Sequence, residues 1–420
     1  MKKKIIYVVL LVVLAALCLG VLGSCNRNTA DFFEYSKDNL GVIGKLIAWM
    51  HKGIKNYGWT VVVFTVCLKV LMLPLDFWQR YSSRKSTLKM QRIQPLVEAI
   101  DKRYGANTQR ANEEKQKLFK KQGYSMASMC LPMILSMVIF FVMFGGLRNY
   151  STYSTISSYK EMSAAYYDTY IEEIFELKDG EFASVYEEYG EKLQNAKDEK
   201  TKIRIQTDII GSANKHNPTK SAECEQVALE AARSAFDEKR ESWLWIHNVW
   251  QPDTWATVMP PYTGNMFNTG FSSSVNMDDY PGGEVIYNRL CNAVLSGEGS
   301  SYGKNGTWNG LMILPFLSIG LSFLSMFVTQ KLEKKNRNGE AVQQSRQQSA
   351  TGKIMMFMMP VLMAWFGFMY TGAFAIYMVF NYMFSIISTL ALRFPVEKAV
   401  LRKLDKDDKK NKSSKASYMR

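Results

Sequence analysis

Apolar and charged residues fall into long alternating blocks along this chain. After Met1-Lys2-Lys3-Lys4, an uncharged apolar stretch runs from Ile5 to about Leu22. A bilayer crossing takes roughly 20 apolar residues, and blocks of that size recur at Trp59–Gln79, Cys130–Leu147 and Leu311–Gln330. Lys353–Phe394 is long enough for two helices, broken near Tyr370-Thr371-Gly372. The pattern predicts an all-α polytopic membrane protein built on a five-helix transmembrane bundle, with spans at 59–79, 127–150, 309–330, 354–371 and 372–394. Residues 39–56 follow a different rule. Val42, Ile43, Leu46, Ile47, Met50 and Ile54 recur at helical spacing with Lys45, Lys52 and Lys55 between them. Within the segment 25–58 this predicts an amphipathic helix, lying in the membrane interface or against a soluble core.

The polar blocks have characters of their own. Residues 80–126 predict a helical hairpin: an arm to Tyr104 kinked at Pro95, a break at Gly105-Ala106-Asn107, and a second arm over Thr108–Lys121. In the long insertion at 151–308, Tyr159–Ser242 is rich in Glu, Lys and Ala and predicts helices. Gln251–Trp308, rich in Gly, Asn, Ser and Tyr, predicts loop with little regular structure. A loop at 331–353 and a basic, disordered tail at 395–420 complete the reading.

The formal net charge of +14 hides how the charges are sorted. Residues 80–126 carry 12 Lys/Arg against 4 acids, 331–353 carry 6 against 2, and 393–420 carry 10 against 4, whereas 151–308 carry 14 against 24. Lys and Arg concentrate on the cytoplasmic side of membrane proteins. Five spans starting outside put all three basic segments in the cytoplasm and the acidic insertion outside the cell. One helix more or fewer breaks that agreement.

The mean hydropathy of −0.15 describes no actual stretch of the chain. Six Cys in 420 residues do not make a disulfide scaffold, and three scattered His leave little for a zinc site or a histidine triad. No metal, cofactor, nucleotide loop or enzymatic centre is expected. Residues 1–24 read as a basic n-region and apolar h-region ending in Leu22-Gly23-Ser24-Cys25. That ending resembles a bacterial lipoprotein signal with Cys25 as the lipidated residue; an uncleaved membrane anchor is the alternative. The localisation that follows is a bacterial plasma membrane. Cys224 and Cys291 both lie in the insertion, either as a disulfide or as two unrelated thiols.

Lys69 is the residue that does not belong. It lies ten positions from either end of Trp59–Gln79, about 15 Å of helix from each, too far for its stem to reach the head groups. A charge at the bilayer centre costs roughly 2.5–3.5 kcal/mol on insertion scales, so Lys69 is expected to face a hydrated cavity. Candidate lining groups are Thr65, Ser136, Ser318, Ser322, Ser325, Thr329, Asn381, Ser385, Ser388 and Thr389.

These residues carry a resemblance to the YidC/Oxa/Alb3 membrane protein insertases, in particular their Gram-positive lipoprotein form. It rests on Tyr57-Gly58-Trp59 through Leu68-Lys69-Val70-Leu71-Met72-Leu73-Pro74-Leu75, Met90-Gln91-Arg92-Ile93-Gln94-Pro95, and Cys130-Leu131-Pro132-Met133. It continues in Trp243-Leu244-Trp245-Ile246, Gln251-Pro252-Asp253, Ile313-Leu314-Pro315, Met359-Pro360 and Ile376-Tyr377. The family usually has arginine at the position of Lys69, and Ser136 and Val138 depart from its usual Gln and Pro. Here the insertion splits the link between Asp253 and Leu311.

The resemblance implies a cytoplasm-facing intramembrane groove with Lys69 at its centre and Thr65, Ser136, Ser322, Tyr377, Asn381 and Ser385 about it. It also implies action on nascent membrane proteins in the lipid bilayer, with the ribosome, the Sec translocon and the signal recognition particle pathway as further partners; DNA is not among them. Two rival readings come from the residues alone. One is a secondary transporter using Lys69; the other is a surface-binding lipoprotein acting through 151–308.

Overall fold

The structure, a computed structural model, describes residues 30–104, 107–121, 127–264, 270–296, 308–333 and 365–417; residues 91–92, 108, 121, 127–137 and 405–417 are described by their backbone alone. It is built of helices: α1 (Val42–Ile54), α2 (Tyr57–Tyr104), α3 (Thr108–Lys121), α4 (Ala127–Glu176), α5 (Ala183–Gln194), α6 (Glu199–His216), α7 (Pro218–Lys239), α8 (Gly283–Ser296), α9 (Ile313–Glu333) and α10 (Gly372–Ser417). Two isolated bridges, Asp31 to Asn276 and Trp243 to Ile246, are the extended pairings among the described residues.

Three helices are long and apolar enough to cross a membrane, at Tyr57–Met90, Ile313–Leu332 and Gly372–Leu404. They expose large apolar side chains, among them Val70, Leu71, Phe316, Phe327, Ile387 and Phe394, the arrangement a lipid solvent requires. The expected span at 354–371 lies mostly outside the described residues; its end, at 365–369, is helical.

Two helices run much further than their apolar blocks. α2 continues without interruption through Pro74 and Pro95, so the first span and the first hairpin arm are one rod about 72 Å long at ~1.5 Å per residue. α4, about 75 Å by the same rise, carries its apolar stretch directly into the insertion.

Inside the insertion, α4 packs against α7, and α8 packs on α7. Their shared core is tyrosine-rich: Tyr159, Tyr166, Tyr167, Tyr170, Tyr280 and Tyr287 are buried together with Phe182, Phe236 and Phe271. Local signals fix the helix starts. Asp198 accepts from the backbone N–H of Thr201 at 2.8 Å ahead of α6, and Asn217 accepts from that of Lys220 at 3.1 Å ahead of α7, whose first residue is Pro218.

Two expectations are corrected, and one left open is decided. The stretch Gln251–Trp308 contains the helix α8, because Ile286, Tyr287, Leu290, Val294 and Leu295 supply an apolar face at helical spacing against the tyrosine core. The tail is helical through Ser417 and starts packed: Val396, Val400 and Leu404 bury against Leu88 of α2, with Phe77 and Tyr81 beside them. Cys224 and Cys291 are buried free thiols. They are the two unrelated thiols of the open alternative.

Candidate functional site

The two ends of the bundle are built differently. At the Tyr57 end the helices close around an apolar core of Tyr57, Val61, Leu147, Trp250, Phe374 and Ile376. Gly58 lets α2 approach the Trp243 ring, which a Cβ would strike.

Hydrogen-bonded polar groups complete this closure. His51 shares a hydrogen bond with the Tyr150 hydroxyl at 2.8 Å through Nδ1 and one with Glu241 at 2.9 Å through Nε2. The other oxygen of Glu241 accepts from the Tyr57 backbone N–H at 3.1 Å. Asp253, fully buried, accepts from the Trp245 indole N–H and from the backbone N–H groups of Met312 and Leu314 at the start of α9.

Residues 255–309 leave and re-enter this closed end between Thr254 and Gly310. The Gly310 N–H donates to the Thr254 carbonyl at 3.0 Å. Asn309, also fully buried, donates to the carbonyls of Asn248, Gln251 and Pro252 and accepts from the Asn248 N–H.

Away from this closure lies a cavity of ≈ 390 Å³ between α2, α9 and α10. From α2, Lys69, Asp76, Gln79, Arg80, Ser83 and Arg84 line it; from α9, Thr329 and Leu332. From α10 come Ser385, Thr389, Leu392, Arg393, Val396 and Glu397. The α2 positions 69, 76, 80, 83 and 84 share one helical face, which continues past the end of the apolar block.

Arg80 crosses to α10, donating to the Ser388 hydroxyl at 3.1 Å and to the Ser385 carbonyl at 3.4 Å. Arg84 pairs with Glu397 at 3.4 Å. Ser325 of α9 donates to the Ser385 hydroxyl at 3.4 Å, so all three helices meet at Ser385. Lys69 forms no hydrogen bond or ion pair with any described residue, although Asp76 lies two turns along the same helix. Among the described residues four basic side chains and two acidic ones face the cavity, so it favours an anionic guest.

The residues expected at the groove divide. Lys69 and Ser385 line the cavity, as do Thr329 and Thr389. Thr65 does not: it is fully buried and donates to the Val61 carbonyl of its own helix at 2.6 Å. Ser322 and Tyr377 are buried in the helix packing, and Asn381 is half-buried; none of the three is in the lining. The Ser136 side chain and Cys25 lie outside the described residues. Arg80, Arg84, Arg393 and Glu397 were not expected there. Their signal is the helical register with Lys69 and Ser385, carried beyond the apolar blocks.

A family model described as 60Kd inner membrane protein matches residues 49–188 and 227–398, covering the helices that build both the closed end and the cavity. The chain belongs to this family. Among relatives, a membrane protein insertase YidC of Caldanaerobacter subterraneus subsp. tengcongensis is 38% identical over 128 residues, 30% of this chain and 60% of the relative. Proteins of the same name from Endomicrobium trichonymphae and Stenotrophomonas maltophilia are each 34% identical, over 127 and 116 residues. The matches span 60%, 23% and 20% of those relatives' own lengths. The split of the family match at 189–226 removes the end of α5, all of α6 and the start of α7, which belong to the insertion and touch no part of the cavity lining.

Proposed function

We propose that this protein is a membrane protein insertase that receives nascent membrane proteins in the Lys69 cavity and releases them into the bilayer. The observation that carries the reading is a cationic, three-helix cavity in a chain of this family, hollow at the Lys69–Glu397 end and packed shut at the Tyr57 end. Five spans cross the plasma membrane of a bacterium, with the hairpin, the 331–353 loop and the tail in the cytoplasm; the sorting of Lys and Arg supports this. Cys25 carries lipid, α1 lies in the outer interface with Val42 and Trp49 exposed, and the unit at 151–308 stands outside the cell. The basic hairpin and tail contact the ribosome or signal recognition particle, and substrates arrive alone or beside the Sec translocon.

The mechanism is electrostatic and hydrophobic, with no covalent step. An acidic segment ahead of a substrate helix enters the cavity and faces Lys69. Water in the cavity shortens the low-dielectric distance that this polar segment must cross. Burial of the following apolar helix in lipid then drives the segment outward. Lys69→Ala and Lys69→Arg proteins in proteoliposomes test this. With a substrate bearing an acidic leading segment, Lys69→Ala is expected to insert about tenfold less, equivalent to ~1.4 kcal/mol, and Lys69→Arg to insert as well as the parent. Equal insertion by all three overturns the charge role.

A further inference from the structure

A second cavity, of ≈ 60 Å³, lies where α4 passes from the bundle into the insertion. Arg148, Ser151, Thr152 and Thr155 of α4 line it, at spacings of three and four that place them on one helical face. Trp250, Ser274 and Thr371 border it from three other segments, and no Asp or Glu is in its lining among the described residues.

Two polar side chains of its α4 wall are unused. Arg148 is exposed and forms no hydrogen bond or ion pair with a described residue, and neither does the Thr152 hydroxyl. Trp250, 3% exposed, walls the cavity with its ring. Ser151 and Thr155 are engaged, the first with Thr371 at 3.5 Å and the second with the Ser151 carbonyl at 3.0 Å. A guest that carries negative charge and acceptor oxygens satisfies both Arg148 and the Thr152 hydroxyl.

The position selects the source of that guest. The uncharged run from Ala127 to Leu147 rises about 31 Å, close to the ~30 Å of a hydrocarbon core. Arg148 therefore stands at head-group depth, and its guanidinium fork matches phosphate oxygens. The volume accommodates a few waters, room for a phosphate group and not for a peptide segment.

We propose that this cavity binds the phosphate of a phospholipid head group through Arg148 and Thr152, where α4 passes from the bundle into the insertion. The inference depends on α4 crossing the membrane and not on insertase activity. Native mass spectrometry of the full-length protein in detergent, titrated with phosphatidylglycerol, tests it. The parent is expected to retain one lipid at least tenfold more strongly than Arg148→Gln, with Arg148→Lys intermediate. Ser274→Leu, which crowds the cavity from a different segment, is expected to lose the lipid while Arg148 stays in place. Equal retention by the parent, Arg148→Gln and Ser274→Leu overturns the site. Displacement of the lipid by millimolar inorganic phosphate overturns the lipid as its source and assigns the same chemistry to a soluble anion.

Discussion

The carboxylate of Asp253 accepts from the backbone N–H of Leu314 at 2.8 Å and so caps the helix that forms one wall of the cavity. It also accepts from Met312 N and Trp245 Nε1, and Gly310 passes so close that a Cβ there would strike the carboxylate. Asp253→Ala leaves these buried donors unpaired. With ~1–3 kcal/mol for each buried orphan, the variant is expected to lose about 2–4 kcal/mol. Thermal unfolding in detergent reads this as a clear fall in midpoint, with a smaller fall for Asp253→Asn, which keeps one acceptor. An unchanged midpoint for Asp253→Ala would remove the cap from the account of this fold.

Arg84 and Glu397 tie α2 to α10 beside the cavity at 3.4 Å. The pair is partly exposed, so its coupling is expected to be modest, about 0.5–1 kcal/mol. A double-mutant cycle of Arg84→Ala and Glu397→Ala, read by thermal unfolding, measures that coupling directly. Arg84→Glu combined with Glu397→Arg should recover most of what either reversal loses. Strict additivity would mean that the two side chains are neighbours without interaction.

The tail gives a third prediction. Val396, Val400 and Leu404 bury against Leu88 of the hairpin arm, so a chain ending at Phe394 uncovers that arm. Hydrogen exchange across 81–93 is expected to quicken at least tenfold in the shortened protein, while exchange in α6 and α7 stays as in the parent. The same rates in both proteins would mean that the arm holds itself.

The reach of sequence reasoning follows from where the physics is local. Lys69 was legible because one charge in an apolar run has few tolerable environments. The breaks at 105–107 and near 371 were legible from turn residues. The tail was not, because its Lys and Asp residues outnumber the spaced apolar positions Val396, Val400 and Leu404, whose burial depends on Leu88 from 300 residues earlier. The same limit hid Arg80 and Arg84. Block composition assigns them to a solvated hairpin, whereas the unbroken helix keeps them in register with Lys69. Thr65 failed for the opposite reason: a hydroxyl within a span has a partner one turn back in its own helix.

Cys291 offers a test of the tyrosine core. Burial pushes its thiol up to about 12 from an ordinary 9.0, so at pH 8 the folded protein holds almost no thiolate there, and the thiolate is the reactive form. Alkylation of Cys291 by a maleimide is therefore expected only on opening of the core, at a rate at least a hundredfold below that of the unfolded chain. The raised value also fixes the direction of a pH effect. The folded state keeps the proton that the unfolded state begins to release near pH 9, so the contribution to stability is complete below about 9. It then falls by ~1.4 kcal/mol per pH unit toward about 12. Between pH 8 and 10.5 the parent is expected to lose unfolding midpoint more steeply than Cys291→Ala, whose side chain does not titrate. Parallel pH profiles, or rapid alkylation of the folded parent at pH 8, would place Cys291 outside the closed core.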